Sequence, residues 1–198
     1  ARGVRNPGLL WTHNDSGGDA TLFAFGGEGG LAGAVRVRGA EAVDWEDIEA
    51  APCRESDARC LFIADTGDND ARRDHVVIYE VPEPGPGDAT VAATALRARY
   101  PDGPRDAEGL FLAGGRVYVV TKGREGPIRL YRLPESAAPG SVATFEPVTD
   151  VAPRPTTTAD YVTAATASPD GRWIALRTYR SLLLYEAAPL LDGRPGEP

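Results

Sequence analysis

The sequence predicts an all-β protein, and within that class a β-propeller of four-stranded antiparallel blades. Short apolar, β-rich runs recur along the chain, separated by clusters of Gly, Pro, Asp and Asn. No stretch carries a sustained helical period. The runs also return in a fixed order with a period of roughly 55–60 residues, the length of a four-stranded propeller blade.

Taken in order, the first runs are LLWTHND (9–15), TLFAFG (21–26) and GAVRVRG (33–39). A second group holds VDWEDIEA (43–50), CLFIADT (60–66), HVVIYEV (75–81) and TALRARY (94–100). A third holds DAEGLFLA (106–113), RVYVVTK (116–122), IRLYRLP (128–134) and TFEPVTDV (144–151), and a fourth YVTAATAS (161–168), RWIALRT (172–178) and SLLLYEA (181–187). With the strands of one blade named A to D from the inside out, the first group lacks its A strand and the last its D strand. Residues 1–198 therefore read as one propeller domain with incomplete first and last blades, a portion of about four blades from a five- or six-bladed ring. A closed four-bladed ring is the alternative, with ARGVRN and the Pro-rich tail recruited as closing strands.

A chain of 198 residues has room for one core or for a few stacked repeats sharing one. Its formal charge of −8 argues against a nucleic-acid partner. No apolar run is long enough to span a membrane, and no signal peptide is visible. The sequence has no Met, so a processed mature chain or a portion of a longer one is expected. Cys53 and Cys60 bracket the polar loop CRESDARC, and the His and Cys needed to complete a zinc site are missing. A short-loop disulfide is the favoured reading over two free thiols, and it implies an oxidising, extracellular or periplasmic location.

Several motifs carry a family resemblance. SPDGRWIALRTY (168–179) resembles a turn and strand of TolB-like propellers. LWTHNDSG, DWEDI, DTGDN, YPDG with the following DAEGL, and VVTK, in that order, resemble a family of secreted bacterial β-propellers related to the esterase-like phytase group. The resemblance covers nearly the whole chain. It implies a propeller fold and a secreted protein.

The acids need a reason. In a blade meander the start of strand A and the end of strand B share one end of the central channel. Asp44, Glu46, Asp47, Asp106 and Glu108 stand at A-strand starts. Asn14, Asp15, Asp65, Asp68, Asn69, Lys122 and Arg177 stand at B-strand ends. The repeat thus gathers sequence-distant polar groups at one channel mouth. Clustered carboxylates repel unless compensated. The compensator can be a hard cation such as Ca²⁺, the basic pair Lys122 and Arg177, or amides of tight Gly turns. Alternatively the acids only cap turns and pair with Arg.

Simple alternation puts Trp45 and Asp47 on one side of their strand, and Asp44, Glu46 and Ile48 on the other. Glu46 and Glu108 are equivalent and are the candidate catalytic groups. Asp44, Glu46, Asp65, Asp106 and Glu108 are the candidate metal ligands, and Asn14, Lys122 and Arg177 the candidate substrate-binding residues. Neutralising Glu108 should then relieve repulsion and stabilise the cation-free protein. Trp45 reads as packing between blades. The expected function is a metal-dependent ester or phosphoester hydrolase acting on a small, anionic ligand, with a non-catalytic binding propeller as the alternative. Two look-alike motifs fail on context. HNDSGGD resembles a serine-protease motif but has too little chain before it for the partner residues. FIADTGD resembles an aspartic-protease motif without the second copy that chemistry needs.

Overall fold

The computed structural model describes residues 1–85 and 87–198, and almost every element in it is a strand. The first sheet contains β1 (Leu9–His13), β2 (Thr21–Gly26) and β3 (Leu31–Arg38) as an antiparallel meander. The second is built on β4 (Trp45–Pro52), β5 (Arg59–Asp65) and β6 (Val76–Pro82). The chain then forms β7 (Thr90–Ala92), which pairs in parallel with the outer edge of β3, and returns as β8 (Thr94–Arg99) on the edge of β6.

The third sheet follows the same plan with β9 (Ala107–Ala113), β10 (Arg116–Thr121), β11 (Ile128–Arg132), a short β12 (Val142–Thr144) and β13 (Glu146–Ala152). Here β12 pairs in parallel with β8 of the second sheet. The fourth contains β14 (Val162–Ala167), β15 (Trp173–Thr178) and β16 (Leu182–Glu186), followed by α1 (Ala187–Leu191). Each link between third and fourth strands thus reaches back to stitch its blade to the preceding one. Short as they are, β7 and β12 cover the outer edges of β3 and β8 that would otherwise offer unpaired backbone groups.

The B strands of the second and third sheets, β5 and β10, are apolar on both faces because each of these sheets lies between two others. In β5, Leu61 and Ile63 enter the core shared with the first sheet, and Phe62 and Ala64 the core shared with the third. In β10, Val117 and Val119 face the second sheet, and Tyr118 and Val120 face the fourth. Face-to-face packing of whole sheets is what turns a two-residue period into continuous burial. Trp45 is buried between the first and second sheets, in one core cluster with Trp11 and with its ring tilted against Tyr79, as expected of an inter-blade residue. Cys53 and Cys60 form a disulfide across the β4–β5 hairpin, with Cα atoms 5.0 Å apart.

The segment before β1 is ordered by a single buried carboxylate. Glu83 accepts N–H groups from Val4 (2.9 Å), Arg5 (2.6 Å) and Asn6 (3.0 Å), and its Oε1 faces the indole Nε1 of Trp11 at 3.4 Å. This holds Ala1–Gly3 against the inner edge of β1, where Arg2 bridges Leu10 and the Gly3 amide donates to the Leu9 carbonyl at 2.9 Å. The A position that the first blade was expected to lack is therefore partly filled by ARG. The N-terminal segment and the fourth sheet do not pair among the described residues. They line opposite sides of a cleft of about 860 Å³.

Candidate functional site

The innermost strands β4, β9 and β14 pack on one another around the axis, and a repeated hydrogen bond fixes where they start. The carbonyl leaving each B strand accepts the first amide of the next A strand: Asp15 from Trp45 (3.0 Å), Thr66 from Ala107 (3.3 Å) and Lys122 from Val162 (3.1 Å). A-strand starts and B-strand ends therefore meet at one mouth, as the repeat predicts.

Each A strand also carries a β-bulge at the same place. Trp45 pairs with Asp65 and Asp47 with Ala64, which leaves Glu46 as the extra residue. Glu108 is skipped in the same way between Ala107 and Gly109, and Thr163 between Val162 and Ala164. The bulge confirms that Glu46 and Glu108 are equivalent, and it overturns the simple alternation. Trp45 turns into the inter-sheet core, whereas Asp47 turns across the axis. A bulge re-aims a side chain without any change in composition.

Asp47 is the tie between blades. Its Oδ1 accepts the Ile48 amide at 2.9 Å, and its Oδ2 accepts the amides of Leu110 on β9 and Ala165 on β14, both at 2.9 Å. Burial raises its pKa to about 7, against the lowering effect of those three donors. Gly109 permits the close approach: a Cβ there would lie 2.8 Å from the Cβ of Ala165.

The predicted acids divide into two sets. Asp65 and Asp68 follow the bland reading. Asp65 is fully buried, and its Oδ1 pairs with Arg73 at 2.8 Å and accepts the Asp44 amide at 3.1 Å. Asp68 caps the following turn through the amides of Arg72 (2.9 Å) and Arg73 (2.8 Å). Asp65, expected among the metal ligands, is thus engaged by Arg73 and is absent from both of the acidic groups below.

The other acids converge. One oxygen from each of Asp15, Asp44 and Glu46 lies within 4.8 Å of the others, and the same holds for Glu46, Asp106 and Glu108. Glu46 belongs to both groups. Gly67 makes room for them, since a Cβ there would collide with the carboxylates of Glu46 and Asp44. Burial, and then Glu108 and Asp44, push the Glu46 carboxyl up to about 9. Burial and the neighbouring Asp15 raise Asp44 to about 6. Asp106 has no exposed surface; its Oδ1 accepts the Asp68 amide at 3.0 Å, and its Oδ2 has no hydrogen-bond partner.

Lys122 brings a cation directly onto this cluster. Its ammonium donates to Glu108 Oε1 and stands 3.4 Å from Asp106 Oδ2. Burial opposes its charge, but Glu108 and Asp106 outweigh burial and raise its pKa. Asn14 is exposed at the end of β1 and makes no side-chain hydrogen bond among the described residues. Arg177 is not at the mouth. It lies within β15, opposite Ala164, and lines the cleft of about 860 Å³ with Asp47, Glu49 and Trp173. Thr178 and Tyr179 hold the register positions that Thr121 and Lys122 hold one blade earlier.

Stacked meandering sheets around converging inner strands define a β-propeller. No protein-family model matches the sequence, and no curated protein matches it. Among solved structures, the chain is similar to the periplasmic gluconolactonase of Pseudomonas aeruginosa, at 17% identity and a TM-score of 0.52. The match covers 94% of this chain and 51% of that one, so the chain spans about half the length of the structure it matches. The likeness supports a propeller relationship and does not extend to the esterase-like phytase or TolB-like groups.

Proposed function

We propose that the acidic mouth binds a divalent cation, Ca²⁺ in the first instance, and hydrolyses a small ester. The carrying observation is the placement of Glu46: it is shared by two carboxylate groups, its proton is retained to about 9, and the buried Asp106 Oδ2 beside it accepts no hydrogen bond, with the Lys122 ammonium 3.4 Å away. An all-oxygen, multiply acidic set suits a hard cation. Asp15, Asp44, Glu46 and Asp106 would hold the ion, and Glu46 would give up its proton on binding it. The bound ion would polarise an ester carbonyl and acidify water.

The chain's own residues supply the rest. Water oxygen adds to the carbonyl carbon, its proton passes to Glu46 or Glu108, and the C–O bond breaks as the alcohol oxygen takes up a proton. Lys122 holds Glu108 in place for this. The propeller neighbour's name supports an ester substrate, because a lactone is a cyclic ester. The disulfide and that neighbour's periplasmic origin support an extracellular or periplasmic location. No helix is long and apolar enough to cross a membrane.

The test is turnover of a panel of lactones and aryl esters with Ca²⁺, Mg²⁺, Mn²⁺ or Zn²⁺, and with chelator. Cation-dependent opening of at least one ester, abolished in Glu46→Gln, is expected. Cation binding with no turnover across the panel would leave a binding propeller in its place.

A further inference from the structure

The mouth changes chemistry from one side to the other. The position just before each A strand is Asp44, then Asp106, then Tyr161. The bulge position runs Glu46, Glu108, Thr163, and the residue leaving each B strand runs Asp15, Thr66, Lys122, Tyr179. Acids therefore occupy the side formed by the first three sheets, while a cation and two tyrosines occupy the side between the third and fourth. There a pocket of about 640 Å³ is lined by Lys122, Arg124, Thr158, Ala159, Tyr161 and Tyr179.

Arg124 is the telling residue in that pocket. Its guanidinium pairs with no carboxylate among the described residues, as holds for several other arginines, and unlike them it lines this pocket. Its one side-chain bond is Nη1 to Asn69 Oδ1 at 2.8 Å, which uses one donor and leaves the others to solvent. Tyr179 is 63% exposed although it is large and partly apolar, and Tyr161 is half-buried beside it. Lys122 reaches the pocket wall from the acidic side. A free planar guanidinium beside two aromatic rings is suited to an oxyanion carried on a ring.

We infer that this pocket is an oxyanion subsite: it takes the anionic group of a ring-bearing small molecule on Arg124 and seats the ring against Tyr161 and Tyr179. This deepens the ester reading above and rests on it for the reaction alone. If the mouth is a hydrolase, its substrate is an anionic ester, its carboxylate or phosphate on Arg124 and its ester group reaching across Lys122 toward Glu46 and Glu108.

Binding without turnover tests it, by calorimetric titration in chelator so that no metal takes part. The probes are phenyl phosphate, benzoate, inorganic phosphate and benzyl alcohol. Phenyl phosphate or benzoate should bind at least about tenfold more tightly than inorganic phosphate, and benzyl alcohol should not bind measurably. Arg124→Gln, an exposed substitution whose folding is checked by circular dichroism, should weaken the tighter ring-bearing anion about tenfold or more. Tyr179→Ala should weaken it about threefold or more, and Arg172→Gln, elsewhere on the surface, should leave it unchanged. Equal affinity in Arg124→Gln and wild type, benzyl alcohol binding as well as the anions, or no binding by any probe would overturn the subsite. Binding that follows this pattern in a protein that turns over no ester would sustain the subsite and reject the hydrolase.

Discussion

Replacing Glu46 with Gln isolates the cost of holding a partly buried carboxylate among the other acids of the mouth. An unfolded Glu ionises near 4.5, whereas the folded protein keeps this proton to about 9. The folded state therefore binds more protons across that window, and stability is full below about 4.5 and declines as pH rises toward 9. Each pH unit in the window costs about 1.4 kcal/mol, so the ionisable group costs about 3 kcal/mol at pH 7. Glu46 is half-buried, and solvent screening reduces this to about 1–2 kcal/mol. Gln mimics the protonated form and does not titrate. In chelator, Glu46→Gln should melt within about 1 °C of wild type at pH 5 and about 3–6 °C higher at pH 7–8, followed by circular dichroism. A difference independent of pH, or a variant less stable than wild type at pH 8, would refute the reasoning.

The remaining predictions concern the groups that hold the mouth. Glu108→Gln should do the opposite of Glu46→Gln and lower stability by about 1–3 kcal/mol in chelator, because it takes away the main partner of the buried Lys122 ammonium; a rise in melting temperature would contradict the pairing. Asp47→Ala leaves the amides of Leu110 and Ala165 without an acceptor and should cost about 2–5 kcal/mol, read by urea unfolding, with Asp47→Asn intermediate. Reducing Cys53–Cys60 should cost about 2.5 kcal/mol for so short a loop, and an unchanged urea midpoint would refute that.

The strand order was legible because every blade reuses one pattern, and burial on both faces made β5 and β10 continuously apolar. The gathering of acids at one mouth followed from the meander. What the sequence hid was local. A bulge leaves no compositional mark, so the separate directions of Trp45 and Asp47, and the tie Asp47 makes to β9 and β14, were out of reach. Asp65 looked like its neighbours, yet the turn after it brings Arg73 back onto it. Arg177 lies two positions short of the mouth, where Tyr179 takes the place that Lys122 has one blade earlier. Glu83 and Arg124 sit in loops with no periodicity, and only their tertiary surroundings give them a role.

The central claim is that Asp15, Asp44, Glu46 and Asp106 form one cation site, and direct calorimetric titration of the chelator-stripped protein with Ca²⁺ tests it most closely. The account predicts one ion per chain, with protons released as the ion binds because Glu46 and Asp44 start partly protonated near neutral pH. Glu46→Gln should abolish both the heat and the proton release. No binding up to millimolar Ca²⁺, or a site that survives Glu46→Gln unchanged, would contradict it.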